Sequence, residues 1–155
     1  MYEYEFPRPS VTADIVVIYR EYNGIGFEYP PEVLLIRRKN DPFKGCWALP
    51  GGFMDIEESL AETAARELEE ETGLKIDIRR LDLIGIYDEP NRDVRSRVIS
   101  AAYIVELVEK PAVQAGDDAQ EAEWFKIDEI LDGQIQLAFD HTAIVKDAIY
   151  ELEPY

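Results

Sequence analysis

The chain has 155 residues, of which 46% are hydrophobic and 32% charged, and its 33 acidic residues against 16 basic ones give a net charge of −17. A chain of this length buries one sizeable core and is too short for two ordinary domains, so a single domain over residues 1–155 is predicted. The acidic excess repels phosphate backbones and anionic membranes, which argues against nucleic-acid and membrane partners. It also repels small anions, unless a metal cation reverses the local charge.

Cys46 is the single cysteine, which excludes an internal disulfide. No apolar run approaches the roughly 18 residues of a membrane span. The opening MYEYEFPRPS lacks the charged-then-apolar layout of a signal peptide. A reducing, cytoplasmic location is therefore expected.

The first half of the chain predicts a hairpin, a loop and a helix. Residues 11–20 and 33–39 are rich in β-branched and aliphatic residues and predict two strands, with Asn-Gly and Pro-Pro turn signals between them. Residues 47–49 predict a short extended piece inside a loop. Residues 56–72 have a helical pattern, and Gly73 is suited to end that helix.

The second half predicts further strands and a last helix. Strands are expected over residues 75–89 (one or two), 98–109 and 123–127, with loops over residues 89–97 and 110–122. A helical turn is expected at residues 128–133. The final helix has Asp140 as its expected N-cap and Pro154 as its end. These elements predict a mixed α/β domain with two main helices.

Residues 59–72, placed on a helix of 3.6 residues per turn, have an apolar side and an acidic side. The apolar stripe, which can pack on a sheet, consists of Leu60, Ala61, Ala64, Ala65 and Leu68. Glu67, Glu70 and Glu71 are spaced i, i+3 and i, i+4, so their carboxylates share a neighbouring face. A solvated acidic surface is one interpretation of such a face, and a metal site is the other.

Two features favour the metal site. Arg66 lies beside the converging glutamates and can hold a carboxylate by a bidentate contact. Gly51 and Gly52 precede the helix, where uncluttered backbone can approach a ligand closely. Carboxylates with a free backbone oxygen suit Mg²⁺, which prefers oxygen ligands and commonly bridges to substrate phosphates.

These residues resemble the Nudix box, G-x5-E-x7-R-E-U-x-E-E-x-G-U, in which U is apolar. Gly52 and Glu58 fill the first two fixed positions, and Arg66-Glu67-Leu68-Glu69-Glu70-Glu71-Thr72-Gly73-Leu74 fills the remainder. The hairpin before the box, the strands after it and the late helix also resemble the family. The resemblance implies an α/β fold, the Nudix α/β/α sandwich, with a mixed sheet and the loop-helix-loop of the box.

The resemblance also implies roles for the box residues. The implied metal ligands are Gly52, Glu58, Glu67, Glu70 and Glu71, with Mg²⁺ as cofactor and Mn²⁺ as a substitute. Arg66 matches the arginine that orients a box glutamate, and with Glu67, Glu70 and Glu71 it forms the implied catalytic set. The implied chemistry is attack of water on a phosphorus of a nucleoside diphosphate linked to another moiety, with a small-molecule substrate as the partner.

Flanking stretches resemble the ADP-ribose pyrophosphatase-like branch of the family. They include LLIRRKNDPFKGCWALPGGF, DEPNRDVRSRVISAAYIVEL and LAFDHTAIVKDA. The loop RDVRSRVIS departs from the branch, which more commonly has Pro at the position of Val94 and Gly at that of Ser96. The resemblance implies hydrolysis of ADP-ribose to AMP and ribose 5-phosphate, by a homodimer.

Two alternative functions stay open. The box equally permits a nucleoside-triphosphate pyrophosphohydrolase, a house-cleaning enzyme, against which only the flanking loops argue. The branch also includes transcriptional regulators that sense ADP-ribose without cleaving it, and these often have a degraded box. The box of this chain is intact.

The loops supply further candidates. The predicted substrate-binding residues are Arg37, Phe53, Arg92, Arg97 and Asp118. Glu121 is a predicted catalytic carboxylate from the loop before Trp124. Each has an ordinary alternative: strand side chains alternate, so Arg38 can replace Arg37, loop charges are commonly solvated, and aromatic residues are commonly in the core.

His141, the single histidine, is expected to fix the start of the last helix rather than to act in catalysis. Cys46 is expected to be a small buried residue.

Overall fold

A computed structural model of the chain describes residues 1–116 and 119–152. Its strands are β1 (Ser10–Tyr19), β2 (Glu32–Arg38), β3 (Trp47–Ala48), β4 (Gly51–Phe53), β5 (Asp82–Tyr87), β6 (Val98–Leu107) and β7 (Ala119–Lys126). Its helices are α1 (Leu60–Thr72), α2 (Ile127–Leu131) and α3 (His141–Glu151), with a 3₁₀ turn at Ile78–Arg80.

The strands form one mixed sheet around β1. β1 pairs in parallel with β6 along its whole length, and β6 pairs with β5 in the antiparallel sense. The other edge of β1 is shared, because β4 pairs with its first half and β2 with its end. β2 in turn pairs with β3 and β7. Sharing one edge between β4 and β2 places the glycine pair of β4 beside the middle of the sheet.

Helices cover both faces of this sheet. Alternate residues of β1 point to opposite sides. Val16 and Ile18 pack with Ile144 and Val145 of α3, whereas Ile15 packs on the other side. That second core contains Ala64 and Leu68 of α1. The prediction of an α/β/α sandwich with a mixed sheet is confirmed.

Local signals in the sequence define both ends of α1. Ser59 accepts a hydrogen bond from the backbone of Glu62, and the Glu62 carboxylate accepts one from the backbone of Ser59, which makes a complete capping box. Gly73 ends the helix in the left-handed region, with φ 75°. Because Ser59 is the N-cap, the helix begins at Leu60, four residues later than the predicted start at residue 56.

Residues 75–89 contain one strand, which agrees with the prediction of one or two, and a 3₁₀ turn precedes it. Two other predicted elements differ from the structure. β7 begins at Ala119, inside the predicted loop, because it pairs with β2 as far as Arg38. Asp140 occupies the N-cap position of α3, but its side chain makes no capping hydrogen bond. The predicted end at Pro154 lies outside the described residues.

None of the helices in the described part of the chain has the length and apolar character that crossing a bilayer requires.

Candidate functional site

A cleft of about 720 Å³ opens where β4, the end of α1 and the start of α3 meet. One side is formed by Gly51 and Gly52 together with Glu67, Glu70 and Glu71. The remaining lining includes Asp14, Arg38, Phe53, Arg92, Asp93, Arg95, Phe139 and His141. The cleft therefore joins an acidic side to a wall that contains arginines and aromatic rings.

The three glutamates differ in burial. Glu71 is 6% exposed, and its carboxylate accepts a hydrogen bond of 3.0 Å from the backbone N–H of Gly51. Burial raises the pKa of Glu71 to about 8, and burial also raises the pKa of Glu67. Glu70 is exposed at the helix surface. Two crowded carboxylates in a buried setting favour a nearby cation.

Arg66 connects the glutamates to one another. Its guanidinium donates to Glu67 at 2.9 Å and to Glu70 at 3.1 Å, and it also donates to both carboxylate oxygens of Glu58. A further hydrogen bond of 3.0 Å reaches the carbonyl of Phe53. The hydrogen bonds from Arg66 lower the pKa of Glu58 to about 2. Arg66 thus ties the start of α1, its acidic face and β4 together.

The glycine pair lies in close contact with its surroundings. A Cβ at Gly52 would overlap the carboxylate of Glu67. A Cβ at Gly51 would overlap the side chain of Asp14 and the carbonyl of Ala13. Glycine is therefore required at position 51, where the overlap includes the backbone of β1, whereas a side chain at position 52 would displace the Glu67 carboxylate.

Buried polar groups form the floor of the cleft. Asp14 is 6% exposed and accepts a hydrogen bond of 2.6 Å from the Ser100 hydroxyl. The Nε2 atom of His141 lies 3.6 Å from the Asp14 carboxylate, and its Nδ1 atom accepts a hydrogen bond of 3.0 Å from the backbone N–H of Leu49. Burial lowers the pKa of His141, so the imidazole is neutral.

The opposite wall holds two arginines in fixed positions. The Arg92 side chain is 4% exposed and makes a bidentate pair with Asp140, at 2.7 and 2.8 Å. Arg95 pairs with Asp93, and its guanidinium lies 5.0 Å from the centre of the Phe53 ring. Because Asp140 is engaged by Arg92, its side chain is directed away from the N–H groups that begin α3.

Several predicted site residues lie away from this cleft. Ile36 and Arg38 of β2 line it, so Arg37 points to the opposite face of the sheet. There Arg37 donates to the carboxylate of Glu121, its partner on β7, at 3.3 Å. Arg97 is exposed outside the lining of the cleft, and Asp118 lies outside the described residues. The structure thus brings Arg38, rather than Arg37, to the box glutamates.

Some lining residues were not predicted. Asp14 is an isolated acid within the apolar strand β1, and a charged residue in such a strand is a signal that could have identified it. Phe139 carries no comparable signal, because it reaches the cleft through a backbone φ of 52° in the left-handed region.

Among residues 1–116 and 119–152, no group of three or more His, Cys, Asp or Glu side chains is already arranged to hold a metal ion. The carboxylates of Glu67 and Glu70 each accept a hydrogen bond from the Arg66 guanidinium. The donor set is nevertheless of the kind that Mg²⁺ selects: several carboxylates beside a glycine backbone.

Comparisons with known proteins agree on one family. A family model described as the NUDIX domain matches residues 8–147. An ADP-ribose pyrophosphatase from Methanocaldococcus jannaschii is 47% identical over 116 residues, which cover 75% of this chain and 64% of that protein. The ADPR responsive transcriptional repressor NtrR from Acinetobacter baylyi is 31% identical over 150 residues, 96% of this chain and 56% of the repressor. This chain therefore spans about three fifths of the curated relatives it matches.

Solved structures match the whole fold. The NUDIX domain of Shewanella oneidensis NrtR in complex with ADP ribose has a TM-score of 0.82 at 29% identity, covering 96% of this chain and 91% of that one. A bifunctional NMN adenylyltransferase/ADP ribose pyrophosphatase from Francisella tularensis, complexed with AMP and a Mn ion, has a TM-score of 0.78 at 28% identity. That match covers 96% of this chain and 43% of the larger protein.

Proposed function

The chain belongs to the NUDIX family, and on that premise we propose that it hydrolyses a nucleoside diphosphate linked to a second moiety, with ADP-ribose as the substrate. Water adds across the diphosphate, so that one P–O bond forms and one breaks, giving AMP and ribose 5-phosphate. The observation that carries the proposal is the placement of Glu67, Glu70 and Glu71 beside Gly51 and Gly52 on one side of a 720 Å³ cleft.

The relatives support the choice of ADP-ribose. One is named an ADP-ribose pyrophosphatase, and a structural match of high TM-score is a NUDIX domain complexed with ADP ribose. The match to the solved NUDIX domain covers nearly all of both chains. We therefore propose ADP-ribose as the specific substrate within the class of nucleoside diphosphate derivatives.

We propose Mg²⁺ as the cofactor, held by Glu67, Glu70 and Glu71 with support from Glu58 and the backbone of Gly51 and Gly52. The residues fit such an ion, because the missing Cβ of Gly52 leaves its backbone directly against the Glu67 carboxylate. When bound, the ion neutralises the diphosphate and activates water. A structural relative is complexed with a Mn ion, which supports a divalent cation as the cofactor.

The side chains of this protein bind and orient the substrate in the proposed reaction. Arg66 holds the box glutamates in place through its shared hydrogen bonds. Arg38, Arg92 and Arg95 place guanidinium donors along the cleft wall, although Arg92 and Arg95 are already paired with Asp140 and Asp93. Phe53 presents a partly exposed ring on which a base can stack.

The test is hydrolysis of ADP-ribose with Mg²⁺, followed by chromatography of AMP. Glu70→Gln is expected to lower kcat roughly 100-fold or more, because a neutral amide is a poor ligand for Mg²⁺. Glu69→Gln is the matched control: it removes the same charge one residue away, where Glu69 faces solvent and pairs with Lys75 at 3.6 Å. Equal loss in both variants, or no AMP from the wild type, would contradict the proposal.

A sensor of ADP-ribose is the second candidate, favoured by the relative named as an ADPR responsive transcriptional repressor. It predicts binding of ADP-ribose without turnover, and binding that survives Glu70→Gln. A house-cleaning pyrophosphohydrolase instead predicts products from nucleoside triphosphates in the same assay. The acidic charge of this chain supports a protein that does not itself bind nucleic acid.

We also propose that residues 1–155 form a single domain that assembles as a homodimer. Exposed aromatic side chains near the N-terminus, Tyr2, Tyr4 and Phe6, offer apolar surface for a second copy. Analytical ultracentrifugation would distinguish a monomer from a dimer.

A further inference from the structure

The segment of residues 47–52, which runs from β3 into the glycine pair of β4, is anchored at nearly every residue. The Trp47 carbonyl accepts from the N–H of Ala138 at 2.8 Å, and the Pro50 carbonyl accepts from the N–H of Ile15 at 3.0 Å. The remaining anchors are side chains: His141 accepts from Leu49 and Glu71 accepts from Gly51. Glu71 belongs to the Nudix box, whereas His141 lies far away in sequence.

His141 takes the place of a missing strand partner. Trp47 and Leu137 form an isolated parallel bridge. If that ladder continued, the N–H of Leu49 would donate to the carbonyl of Ala138. This carbonyl instead accepts from the N–H of His141 at 3.1 Å, and Leu49 donates to the imidazole of the same residue. Removing the imidazole would leave a buried N–H without its partner, which is costly.

The surroundings of His141 fix its imidazole in one neutral tautomer. His141 is 4% exposed, and its Nδ1 atom is an acceptor, so the proton of the neutral ring is on Nε2. That atom faces the carboxylate of Asp14 at 3.6 Å. Asp14 in turn packs directly against Gly51, where a Cβ would overlap it. His141 and Asp14 therefore lie against each other and contact this segment at Leu49 and at Gly51.

We propose that His141 is a positioning residue that fixes residues 49–52 through the Leu49 N–H, and thereby sets the place of the Gly51–Gly52 backbone beside Glu71 and Glu67. The part of this inference that concerns the metal rests on the proposed function. The part that concerns residues 49–52 rests on the hydrogen bond from the Leu49 N–H to His141. A histidine that only begins α3 would affect stability without affecting the glycine backbone.

His141→Leu and His141→Asn form a matched pair for the test, because leucine and asparagine have similar size and only asparagine offers an acceptor on Cγ. Amide hydrogen exchange, followed by NMR at Leu49 and Gly51, reports on the loop. Mn²⁺ titration by water-proton relaxation reports on the metal site. Ile144→Val is the control, since Ile144 lies in the core of the same helix and trimming it destabilises α3 without touching Leu49.

In His141→Leu, exchange at Leu49 and Gly51 is expected to rise about tenfold, because one hydrogen bond is lost. Mn²⁺ affinity is expected to fall by about tenfold, the usual effect of removing a group that orients a metal ligand. His141→Asn should restore slow exchange at Leu49 and Gly51 and the Mn²⁺ affinity of the wild type. Ile144→Val should leave the Mn²⁺ affinity unchanged and should not raise exchange at Leu49 and Gly51 more than at other core amides. Unchanged exchange at Leu49 in His141→Leu, or failure of asparagine to restore it, would overturn the inference. A wild-type protein that binds no Mn²⁺ would instead contradict the proposed function, while the exchange result would still decide the role of His141.

Discussion

Arg66 shows how one residue can organise a site made of like charges. Its guanidinium donates to Glu58, Glu67 and Glu70 at once, and its planar fork makes this geometry possible. Carboxylates at these helical spacings repel one another in the absence of a cation. The arginine offsets that repulsion and keeps the glutamates beside Gly51 and Gly52. The acidic face is therefore more than a solvated surface.

Gly52 provides a sharp test at the residue scale. Gly52→Ala places a methyl group on the carboxylate of Glu67, so β4 and α1 must separate or the carboxylate must turn away. We expect kcat with ADP-ribose to fall by roughly tenfold or more, since metal sites are sensitive to small displacements of ligands. Steady-state kinetics with Mg²⁺ measures the effect.

Gly26→Ala is the matched control for this prediction. A Cβ at Gly26 would meet no heavy atom within 4 Å, and the residue lies in the loop between β1 and β2. It makes the same chemical change far from the cleft. Full activity in Gly52→Ala would show that the close approach of Gly52 to Glu67 has no part in the reaction.

At the scale of elements, the capping box sets where α1 begins and therefore where its acidic face points. Ser59→Ala removes the acceptor for the Glu62 N–H, which leaves one more helix donor without a protein partner. We expect the free energy of unfolding to fall by about 1 kcal/mol. Urea denaturation followed by circular dichroism measures it. Ser96→Ala, in an exposed loop, serves as the control and should stay within about 0.5 kcal/mol of the wild type. Equal stability of the two variants would mean that the cap contributes nothing.

Elements with strong local signals were predictable from the sequence, and those set by pairing were not. α1 has an apolar stripe, a capping box and a terminal glycine, so its existence and end followed from the residues. The early start of β7 depends on pairing with β2, which no local pattern reveals. The choice between Arg37 and Arg38 likewise depends on which face of β2 meets the cleft. The box glutamates were identifiable by spacing, whereas the places of His141 and Phe139 in the cleft depend on the tertiary fold.

At the scale of the whole molecule, the net charge of −17 makes a bound cation a source of stability as well as of chemistry. A ligand that binds only the folded state stabilises it, by about 2.7 kcal/mol at a concentration of 100 times Kd. For a domain of this size, that corresponds to a rise in Tm of roughly 5–10 °C. We expect Mg²⁺ to produce such a rise and EDTA to reverse it, as measured by differential scanning calorimetry.

Mg²⁺ could also raise Tm by screening the acidic surface in general, without binding at one site. Two variants separate binding at the box glutamates from this general screening. Glu70→Gln and Glu69→Gln remove one charge each from neighbouring positions of α1, so they change long-range repulsion equally. Of these two glutamates, Glu70 contacts Arg66 and lines the cleft, and Glu69 does neither. We therefore expect most of the Mg²⁺ effect to disappear in Glu70→Gln and to persist in Glu69→Gln, with NaCl of equal ionic strength as a further control. The same rise in both variants would show that Mg²⁺ acts on the overall charge of the molecule and not at the box glutamates.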